Sequence, residues 1–441
     1  MVENRGDSPM AAGTEAGRTA RTRPSPKGVA ETDVLVVGGG PAGSTAGILL
    51  AREGIETTIL ERNPPGHRKV CGDLLGSRSL QFLDALHIDW KTKQAEGFSI
   101  EGIRVYDETG LKSAAYVEKK PGGDPAGITL RRDRLDRYLQ RKAEESGCRL
   151  LHGVKFRDFA ERQNHALVCR ASTEGRDILF RARVVLGADG VRSATARAAG
   201  LFERRPGVML LAVRGYYRNV AGLRNMIELY PLSSLQPGYA WVIPLSRDTA
   251  NIGLGVRADV CSRDRVRLQR ELAGFIAGHP DLARRMEKAS PEGPVQGWPL
   301  TTYGSVQRHS GPGVLFLGDA GGFIDPLSGE GIFGAMQSAR IAVEVVREAL
   351  KRGTFTAGFL TTYDERCRRT FQADFGSAAR VTGLLAHSAI GKPLAMWALK
   401  QVEKNCLLDP GYARMIAAFF TGTLPRKRFL KPKWIARTIL A

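Results

Sequence analysis

Several features that would assign a function at once are missing from this sequence. The six cysteines form no C-x-x-C pair, which argues against a zinc site and a disulfide framework and fits a reducing cytoplasm. No apolar run reaches the ~18 residues that a membrane-spanning helix needs. The N-terminus has no apolar core of the secretory type, and no zinc finger or RNP-type motif is visible. We therefore expect neither a bound metal nor a nucleic-acid partner.

The charge is strongly positive, and its placement suggests a partner. The chain has 65 basic and 45 acidic residues, a net charge of +20, which favours contact with something anionic. Residues 425–441 contain six basic residues, no acidic residue and several apolar side chains including Trp434. This pattern is typical of a membrane-surface segment. We predict peripheral contact with the inner face of the membrane through Pro425–Ala441, with a packed, solvated tail as the alternative.

The most informative segment is residues 33–62, DVLVVGGGPAGSTAGILLAREGIETTILER. An apolar strand precedes Gly38, Gly40 and Gly43, which have G-x-G-x-x-G spacing, and an apolar helix follows. The glycines permit a tight turn, close approach to a pyrophosphate and close packing of helix on strand. Glu61 ends a second apolar run, where a carboxylate can accept hydrogen bonds from both ribose hydroxyls. The segment predicts dinucleotide binding, although it does not identify the dinucleotide.

Two later motifs narrow this prediction. GADG occupies Gly187–Gly190 and GDAGGFIDP occupies Gly318–Pro326. Together with the glycine fingerprint, in this order, they resemble the para-hydroxybenzoate hydroxylase-like superfamily of FAD-dependent oxidoreductases over about residues 31–350. The resemblance implies a tightly bound FAD, with Asp189 near its pyrophosphate and Asp319 at its ribityl and phosphate portion.

A long helix is predicted from about Gly329 to Lys351, and it adds an independent chemical reason for a flavin. A reduced flavin gathers negative charge at its N1/O2 edge. The partial positive charge and free N–H groups of a helix N-terminus at Gly331 and Ile332 would stabilise that charge.

Within the superfamily, two segments are similar to the geranylgeranyl reductase family. One is KVCGD at Lys69–Asp73, and the other is YAWVIP at Tyr239–Pro244, which is similar to that family's Y-x-W-x-F-P signature. Ile243 stands where that family usually has Phe. Flavin halogenases share a W-x-W-x-I-P signature, of which Ile243 and Pro244 match the end. The CGD segment favours the reductase family. SGEGI at Ser328–Ile332 and R-x-x-L-D at Arg132–Asp136 also fit that family's pattern.

The resemblance also implies roles for individual residues. Tyr239 and Trp241 would form an aromatic wall that tolerates positive charge on an alkene carbon, and Tyr239 could donate a proton or orient a water. Cys71 would lie near the flavin ring as a catalytic participant. Ordinary packing remains the alternative for all three, and Asp73 is interpreted as a helix cap rather than an acid. The implied FAD contacts are Gly38, Gly40, Ala42, Gly43, Glu61, Arg62, Cys71, Gly72, Arg132, Asp189, Asp319, Gly331 and Ile332.

These motifs predict an α/β fold in which a Rossmann-type FAD-binding domain carries an inserted antiparallel-sheet substrate domain and a helical C-terminal region. Residues 1–30 are predicted to be a disordered leader. The FAD-binding domain is assembled from 31–97, 131–205 and 300–352. The substrate domain comprises 98–130 and 206–299, and residues 353–441 form the helical region with its basic tail.

The predicted activity is FAD-dependent saturation of C=C bonds in a long isoprenoid, such as a geranylgeranyl lipid, a prenylated pigment or a menaquinone side chain. A monooxygenase or halogenase acting on a natural-product scaffold is the first alternative, and a flavin-containing membrane-binding protein without turnover is the second. The sequence has no second G-x-G-x-x-G. Electrons are therefore expected from transiently bound NADPH or from a small electron carrier.

Overall fold

The protein is described by a computed structural model that covers most of residues 28–423. The basic tail 425–441 and residues 1–27 of the predicted leader lie outside the described residues. So do the internal residues 92–96, 108–109, 118–123, 164–165, 233–234, 236–237, 264, 388–392, 394–396, 398–399, 402–403 and 407.

The described strands, in chain order, are β1 Val29–Val37, β2 Thr57–Glu61, β3 Leu74–Gly76, β4 Phe98–Ile100, β5 Gly102–Asp107, β6 Gly110–Tyr116, β7 Gly127–Thr129, β8 Arg149–His152, β9 Lys155–Gln163, β10 Ala166–Thr173, β11 Arg176–Gly187, β12 Leu210–Arg218, β13 Met226–Pro231, β14 Gly238–Pro244, β15 Ala250–Arg257, β16 Ser290–Pro291, β17 Gln296–Leu300, β18 Ser310–Gly311 and β19 Val314–Phe316.

The described helices are α1 Pro41–Arg52, α2 Ser77–Ala85, α3 Arg132–Glu145, α4 Ala194–Ala198, α5 Ala258–Arg263, α6 Leu268–Gly278, α7 Pro280–Met286, α8 Ile332–Arg352, α9 Ala357–Phe371, α10 Ser377–His387 and α11 Pro410–Phe420. Short 3₁₀ segments occur at Pro206–Val208 and Gly318–Gly321, and a π-helix at Gln372–Gly376 joins α9 to α10. Within these residues, no helix is both long and apolar enough to cross a bilayer.

The first sheet carries the dinucleotide fingerprint. Its strand order is β18-β19-β11-β1-β2-β8, with β10 antiparallel to the first half of β11 and β9 antiparallel to β10. The pairs from β19 to β8 are parallel. Val34–Val37 in the middle of this sheet are almost fully buried, as expected for a parallel strand covered on both faces. Helix α1 packs against α3 and α8 next to this sheet.

The strand β1 corrects the predicted end of the leader. It begins at Val29, and Val29 and Ala30 pair with Leu179 and Phe180 on β11. The ladder extends two residues beyond the predicted boundary because both residues find parallel partners there.

The second sheet has the order β16-β12-β15-β14-β13-β5-β6, with β17 also paired to β12. It is antiparallel except for β13 and β5, which run parallel. The predicted antiparallel sheet thus contains one parallel ladder, because β5 enters the sheet from a distant part of the chain rather than through a hairpin with β13.

A third sheet of three short strands, β3-β7-β4, was not predicted as a separate unit. Residues 98–100 and 127–129 pair with each other and with 74–76, so these parts of 98–130 do not join the second sheet. Residues 74–76 are the third partner. This small sheet connects the chain around Cys71 to the second sheet.

The C-terminal part of the described chain is mostly helical. Helix α11 packs across β5 and β6 of the second sheet, and its Tyr412, Ile416 and Ala417 are buried in a cluster with Ile243 of β14. This helix therefore covers the face of the sheet that carries the signature strand.

Candidate functional site

The turn after β1 depends on glycines at two positions where a side chain cannot fit. Gly38 has φ of +108°, and a Cβ there would lie 2.3 Å from the carbonyl oxygen of Ala188. A Cβ on Gly43 would lie 1.9 Å from the carbonyl oxygen of Gly38. Both neighbours are backbone, so neither can move aside cheaply. The strand, turn and helix approach each other as a dinucleotide fingerprint requires.

The helices α1 and α8 begin on glycines, Gly40 and Gly331, and neither has a side-chain cap. Their first N–H groups are therefore not satisfied by a capping oxygen from the N-cap residue, unlike α4, where the Ser193 hydroxyl accepts from Ala196. Such ends suit the phosphates and the anionic edge of a flavin. The long helix begins at Ile332, three residues after the predicted start at Gly329.

Glu61 has partners within the protein that its motif position did not predict. It is buried, its Oε2 accepts from the Gly39 N–H at 2.8 Å, and its Oε1 accepts from the backbone and side chain of Asn63 at 3.0 and 2.7 Å. Burial would raise the pKa of Glu61, but the charge of Lys69 and these bonds hold it below its ordinary value. In this structure the carboxylate braces the glycine turn, a role in which Gln140 joins by donating to the Gly39 carbonyl at 2.8 Å.

Asp189 of the GADG motif lies beside Gly38, since its Cα would be 3.1 Å from a Cβ on that glycine. Its carboxylate accepts from the backbone N–H and the hydroxyl of Thr195, both at 2.9 Å. Asp189 therefore holds the first turn of α4 against the fingerprint, and both of its oxygens are engaged in doing so.

Asp319 is the predicted contact whose environment most suggests an additional ligand. Its side chain has no hydrogen bond to any described residue, and a Cβ on Gly331 would lie 3.6 Å from its Oδ1. Burial raises the pKa of Asp319, opposed by the charges of Arg132, Lys69 and Arg204. A half-buried carboxylate facing cations but lacking hydrogen-bond donors fits the polar portion of a FAD molecule.

The positions of three other predicted FAD contacts on this side say less about a ligand. Ala42 is buried under Gly318, where a Cβ would lie 3.2 Å from the Ala42 methyl group. Ile332 is buried at the start of α8. Arg62 is exposed next to Glu61.

Cys71 lies half-buried at the centre of the CGD segment. Burial raises the pKa of its thiol, a hydrogen bond and the charge of Arg132 oppose this, and the nearby Asp73 carboxylate reinforces it. Arg132 itself is held by Asp136, whose Oδ1 lies 2.9 Å from Nη2. The R-x-x-L-D segment thus anchors the cation that the sequence predicted to contact FAD.

Tyr239 and Trp241 lie on the same face of β14 with ring centroids 6.1 Å apart at an interplanar angle of 60°. The Tyr239 hydroxyl donates to the Ser328 carbonyl at 2.8 Å, so its proton is already engaged. The Trp241 ring lies over Gly253, where a Cβ would be 2.4 Å from Cζ2. We call this pair of rings the aromatic wall, and its role in tolerating positive charge stays a prediction.

Three motifs that are far apart in sequence therefore meet at one place. The Tyr239 hydroxyl joins β14 to the SGEGI loop in front of α8. A Cβ on Gly72 would lie 3.5 Å from Cδ1 of Ile243, which joins the CGD segment to β14. The aromatic wall, the turn containing Cys71 and the uncapped N-terminus of α8 enclose one region.

Sequence reasoning missed the residues that hold this region together. Asp73 is fully buried with φ of +62° and does not cap the helix that follows it. Its Oδ1 accepts from the N–H of Arg132 at the start of α3, and its Oδ2 accepts from Tyr216 and Asn251 at 2.7 and 2.9 Å. Burial raises the pKa of Asp73, against these donors. The only available signal was a polar residue, Asn251, in an otherwise apolar strand.

Comparisons with known proteins agree with this geometry. A family described as FAD binding domain matches residues 31–375. The digeranylgeranylglycerophospholipid reductase 2 of Methanothermobacter thermautotrophicus is 33% identical over 346 residues, covering 76% of this chain and 83% of the relative. The protein is therefore a FAD-dependent oxidoreductase.

Solved structures from two groups of flavoproteins share the fold. A geranylgeranyl bacteriochlorophyll reductase-like protein from Thermoplasma acidophilum superimposes with a TM-score of 0.76 at 24% identity, over 91% of this chain and 98% of that one. A myxobacterial chondrochloren halogenase superimposes with a TM-score of 0.69 at 20% identity, over 92% of each chain. The fold is common to both groups, whereas the sequence relation is to the reductases: this chain belongs to the digeranylgeranylglycerophospholipid reductase family of FAD-dependent oxidoreductases.

Proposed function

We propose that this protein saturates C=C bonds in the isoprenoid chains of a lipid. The observation that carries this proposal is that three features come together beneath an apolar cover. They are the aromatic wall on β14, the turn that contains Cys71 and the N-terminus of α8. That cover comes from α11, whose Phe420 ring lies 6.5 Å from the Tyr239 ring and whose Ile416 is buried in the same cluster. The relative named digeranylgeranylglycerophospholipid reductase supports a prenyl lipid as the substrate class.

The chemistry needed is the addition of a hydride and a proton to an isolated alkene, where no carbonyl accepts electrons. FAD, when bound, supplies the hydride. Tyr239 and Trp241 face developing positive charge on the more substituted carbon and stabilise it through their ring faces. The apolar cover from α11 excludes water, which strengthens that interaction and protects the carbocation-like centre from hydration.

The residues fit FAD through contacts of two kinds. Uncapped N–H groups at α1 and α8 would hold its phosphates and the anionic edge of its ring, and Asp319 would hold its polar chain. Cys71 and Gly72, on the turn next to β14, would contact the ring. The reductant is NADPH or a small electron carrier that docks transiently.

Lipid identification tests the substrate class. The protein is purified and its lipid extract is analysed by mass spectrometry, with the variant Trp241→Ala extracted in parallel to reveal contaminants. A polyprenyl lipid that accompanies the wild type and declines in the variant supports the proposal. A polar aromatic compound in its place would contradict it.

A second candidate function, oxygenation or halogenation, is favoured by Ile243 and Pro244 of the signature strand and by the halogenase fold. It differs in requiring O₂. Reduced protein is mixed with O₂ in a stopped-flow instrument and, separately, turned over under strict anaerobiosis. Anaerobic turnover excludes the oxygenase, and an oxygenated or halogenated product formed only with O₂ would replace the reductase assignment.

Membrane contact through Pro425–Ala441 completes the proposal. Leu408, which is 70% exposed, and Trp397, which is 39% exposed, precede this segment in the helical region and suit the same apolar surface. Deleting residues 425–441 is expected to weaken binding to anionic liposomes, with neutral liposomes as the control. Unchanged binding to anionic liposomes would reject this role for the segment.

A further inference from the structure

Asn251 on β15 is a fully buried amide whose polar groups all have partners. Its Oδ1 accepts from Nε1 of Trp241 at 3.0 Å, and its Nδ2 donates to the Cys71 carbonyl at 2.8 Å and to Oδ2 of Asp73 at 2.9 Å. The indole is a pure donor, and the carbonyl and carboxylate are acceptors. The amide can therefore be satisfied in only one orientation.

The turn that Asn251 holds is itself strained. Asp73 has a left-handed backbone with φ of +62°, which is unfavourable for a residue with a side chain. It is kept there by the Tyr216 hydroxyl at 2.7 Å and the N–H of Arg132 at 3.2 Å, in addition to Asn251. The strain persists because three separate elements, β12, β15 and α3, fix the same carboxylate.

Tyr216 is fixed in turn by two guanidinium groups. Arg131 lies 4.6 Å and Arg214 lies 4.2 Å from the centroid of its ring. The Tyr216 hydroxyl cannot swing away from Asp73 without breaking both contacts. Tyr216 thus gives Oδ2 of Asp73, the same oxygen that Asn251 bonds, a second donor that is held in place.

Asp73 does not reach a substrate, because it is fully buried and its oxygens are occupied by donors. The network instead has two outward ends: the Trp241 indole on the aromatic wall and the Cys71 carbonyl on the turn. Among the residues that the structure describes, Asn251 is the one side chain that bonds to both. Its amide therefore sets the separation between the wall and the turn.

We propose that Asn251 is a positioning residue, which bonds Trp241 to the Cys71–Asp73 turn and thereby fixes the aromatic wall relative to the flavin-facing turn. This inference rests on the proposed function only for its activity measurement. Its other measurements follow the flavin and the turn and need no substrate.

The test compares holoenzyme variants Asn251→Ala and Asn251→Asp with the control Tyr217→Phe. Tyr217 neighbours Tyr216 on β12, but its hydroxyl has no hydrogen bond to a described residue. Three quantities are measured: the midpoint potential and visible spectrum of the bound flavin, kcat and KM, and the alkylation rate of Cys71 relative to Cys261 by N-ethylmaleimide and peptide mapping. Cys261 is the internal reference because it is half-buried in another element, helix α5.

In Asn251→Ala we expect kcat to fall at least about 10-fold with a smaller change in KM, since small displacements of positioned groups cost this much or more. The flavin potential or spectrum should shift, and the ratio of Cys71 to Cys261 labelling should change. Tyr217→Phe should match the wild type. Wild-type kcat, flavin properties and labelling ratio in Asn251→Ala would overturn the proposal, and so would equal acceleration at both cysteines, which indicates general loosening.

Asn251→Asp provides a second variant if the alanine variant does not fold. Its new carboxylate faces that of Asp73, with Arg132, Arg214, the Tyr216 hydroxyl and the Cys71 thiol around the pair. At low pH a shared proton restores a donor to Asp73, and as pH rises the proton leaves and the carboxylates repel. The kcat defect relative to wild type should therefore grow with pH. A defect independent of pH would contradict the assigned hydrogen bond.

Discussion

The two sides of this site are built on opposite principles. On the cofactor side, the turn at Gly38–Gly43 and the start of α8 depend on glycines. Their backbone N–H groups are exposed because no side chain covers them, and a Cβ atom on Gly38 or Gly43 would have no room. On the β14 side, the arrangement depends on particular side chains, with Asn251, Asp73 and Tyr216 satisfying one another in a buried network. An added side-chain atom should therefore disrupt the cofactor side, whereas the loss of a polar group should disrupt the β14 side.

The largest effect should come from adding one methyl group on the cofactor side. Gly43→Ala would place Cβ 1.9 Å from the Gly38 carbonyl oxygen, which we expect to cost about 3 kcal/mol or more of stability and most of the bound FAD. Melting temperature and the FAD-to-protein absorbance ratio measure this. The matched control is Gly274→Ala in α6, where a Cβ meets nothing within 4 Å and stability should be unchanged or slightly higher. Full FAD content in Gly43→Ala would refute the steric argument.

Removing one charge on the β14 side should have the next largest effect. Asp73→Asn keeps the shape but turns one acceptor into a donor facing Tyr216 and Asn251, so buried donors lose partners. We expect a loss of about 2–3 kcal/mol in the free energy of unfolding by urea. The exposed Asp177→Asn on β11 is the control and should stay within ~0.5 kcal/mol. Equal behaviour of the two variants would show that the network does not stabilise the fold.

The ion pairs of Glu292 predict how the stability of the protein depends on pH. Its carboxylate binds Arg131 in two bonds of 2.7 Å each, and these, with Arg218, lower the pKa of Glu292 to about 2. Because the folded pKa is depressed, its contribution is complete above the ordinary value of 4.5 and is lost as pH falls towards 2. Glu292→Gln should cost roughly 1 kcal/mol at neutral pH.

The difference in melting temperature between the wild type and Glu292→Gln should therefore shrink in acid. The exposed Glu287→Gln gives the baseline at each pH. A difference that stays constant from pH 7 to the acid limit of folding would show that Arg131 is held by something other than the Glu292 charge.

The smallest effect concerns the Cys71 thiol. Because burial raises its pKa above the ordinary value of 9.0, the thiol should remain protonated at neutral pH, and its alkylation rate should still be rising at pH 9. The rate is followed by mass spectrometry of the Cys71 peptide, with Cys71→Ser identifying the signal. A plateau near neutral pH would mean that Arg132 stabilises a thiolate instead.

The sequence predicts the cofactor side of the site better than it predicts the β14 side. The glycine spacing at Gly38, Gly40 and Gly43 is local, so the strand, turn and helix follow from neighbouring residues. The bonds of Asp73 to Tyr216 and Asn251 join residues more than a hundred positions apart, and no local periodicity records them. The separate β3-β7-β4 sheet was missed for the same reason, since three-residue strands carry little pattern of their own.

Individual polar side chains were the least predictable elements. The motif positions of Glu61 and Asp189 predict contacts with the cofactor, and these stay predictions. Their bonds to the Gly39 N–H and to Thr195 were not predicted. A motif fixes where a residue lies, whereas its hydrogen-bond partner depends on which donors tertiary packing brings within reach. Tyr239 and Trp241 were placed correctly on one face because alternation along a strand is local.

Anaerobic single turnover tests the central claim most directly. The flavin is reduced chemically without excess reductant, a lipid with geranylgeranyl chains is added in the absence of O₂, and flavin absorbance and lipid mass are followed together. We predict that the flavin is reoxidised while a double bond of the lipid gains a pair of hydrogen atoms. A flavin that stays reduced beside an unchanged lipid, and is oxidised only when O₂ is admitted, would contradict the account.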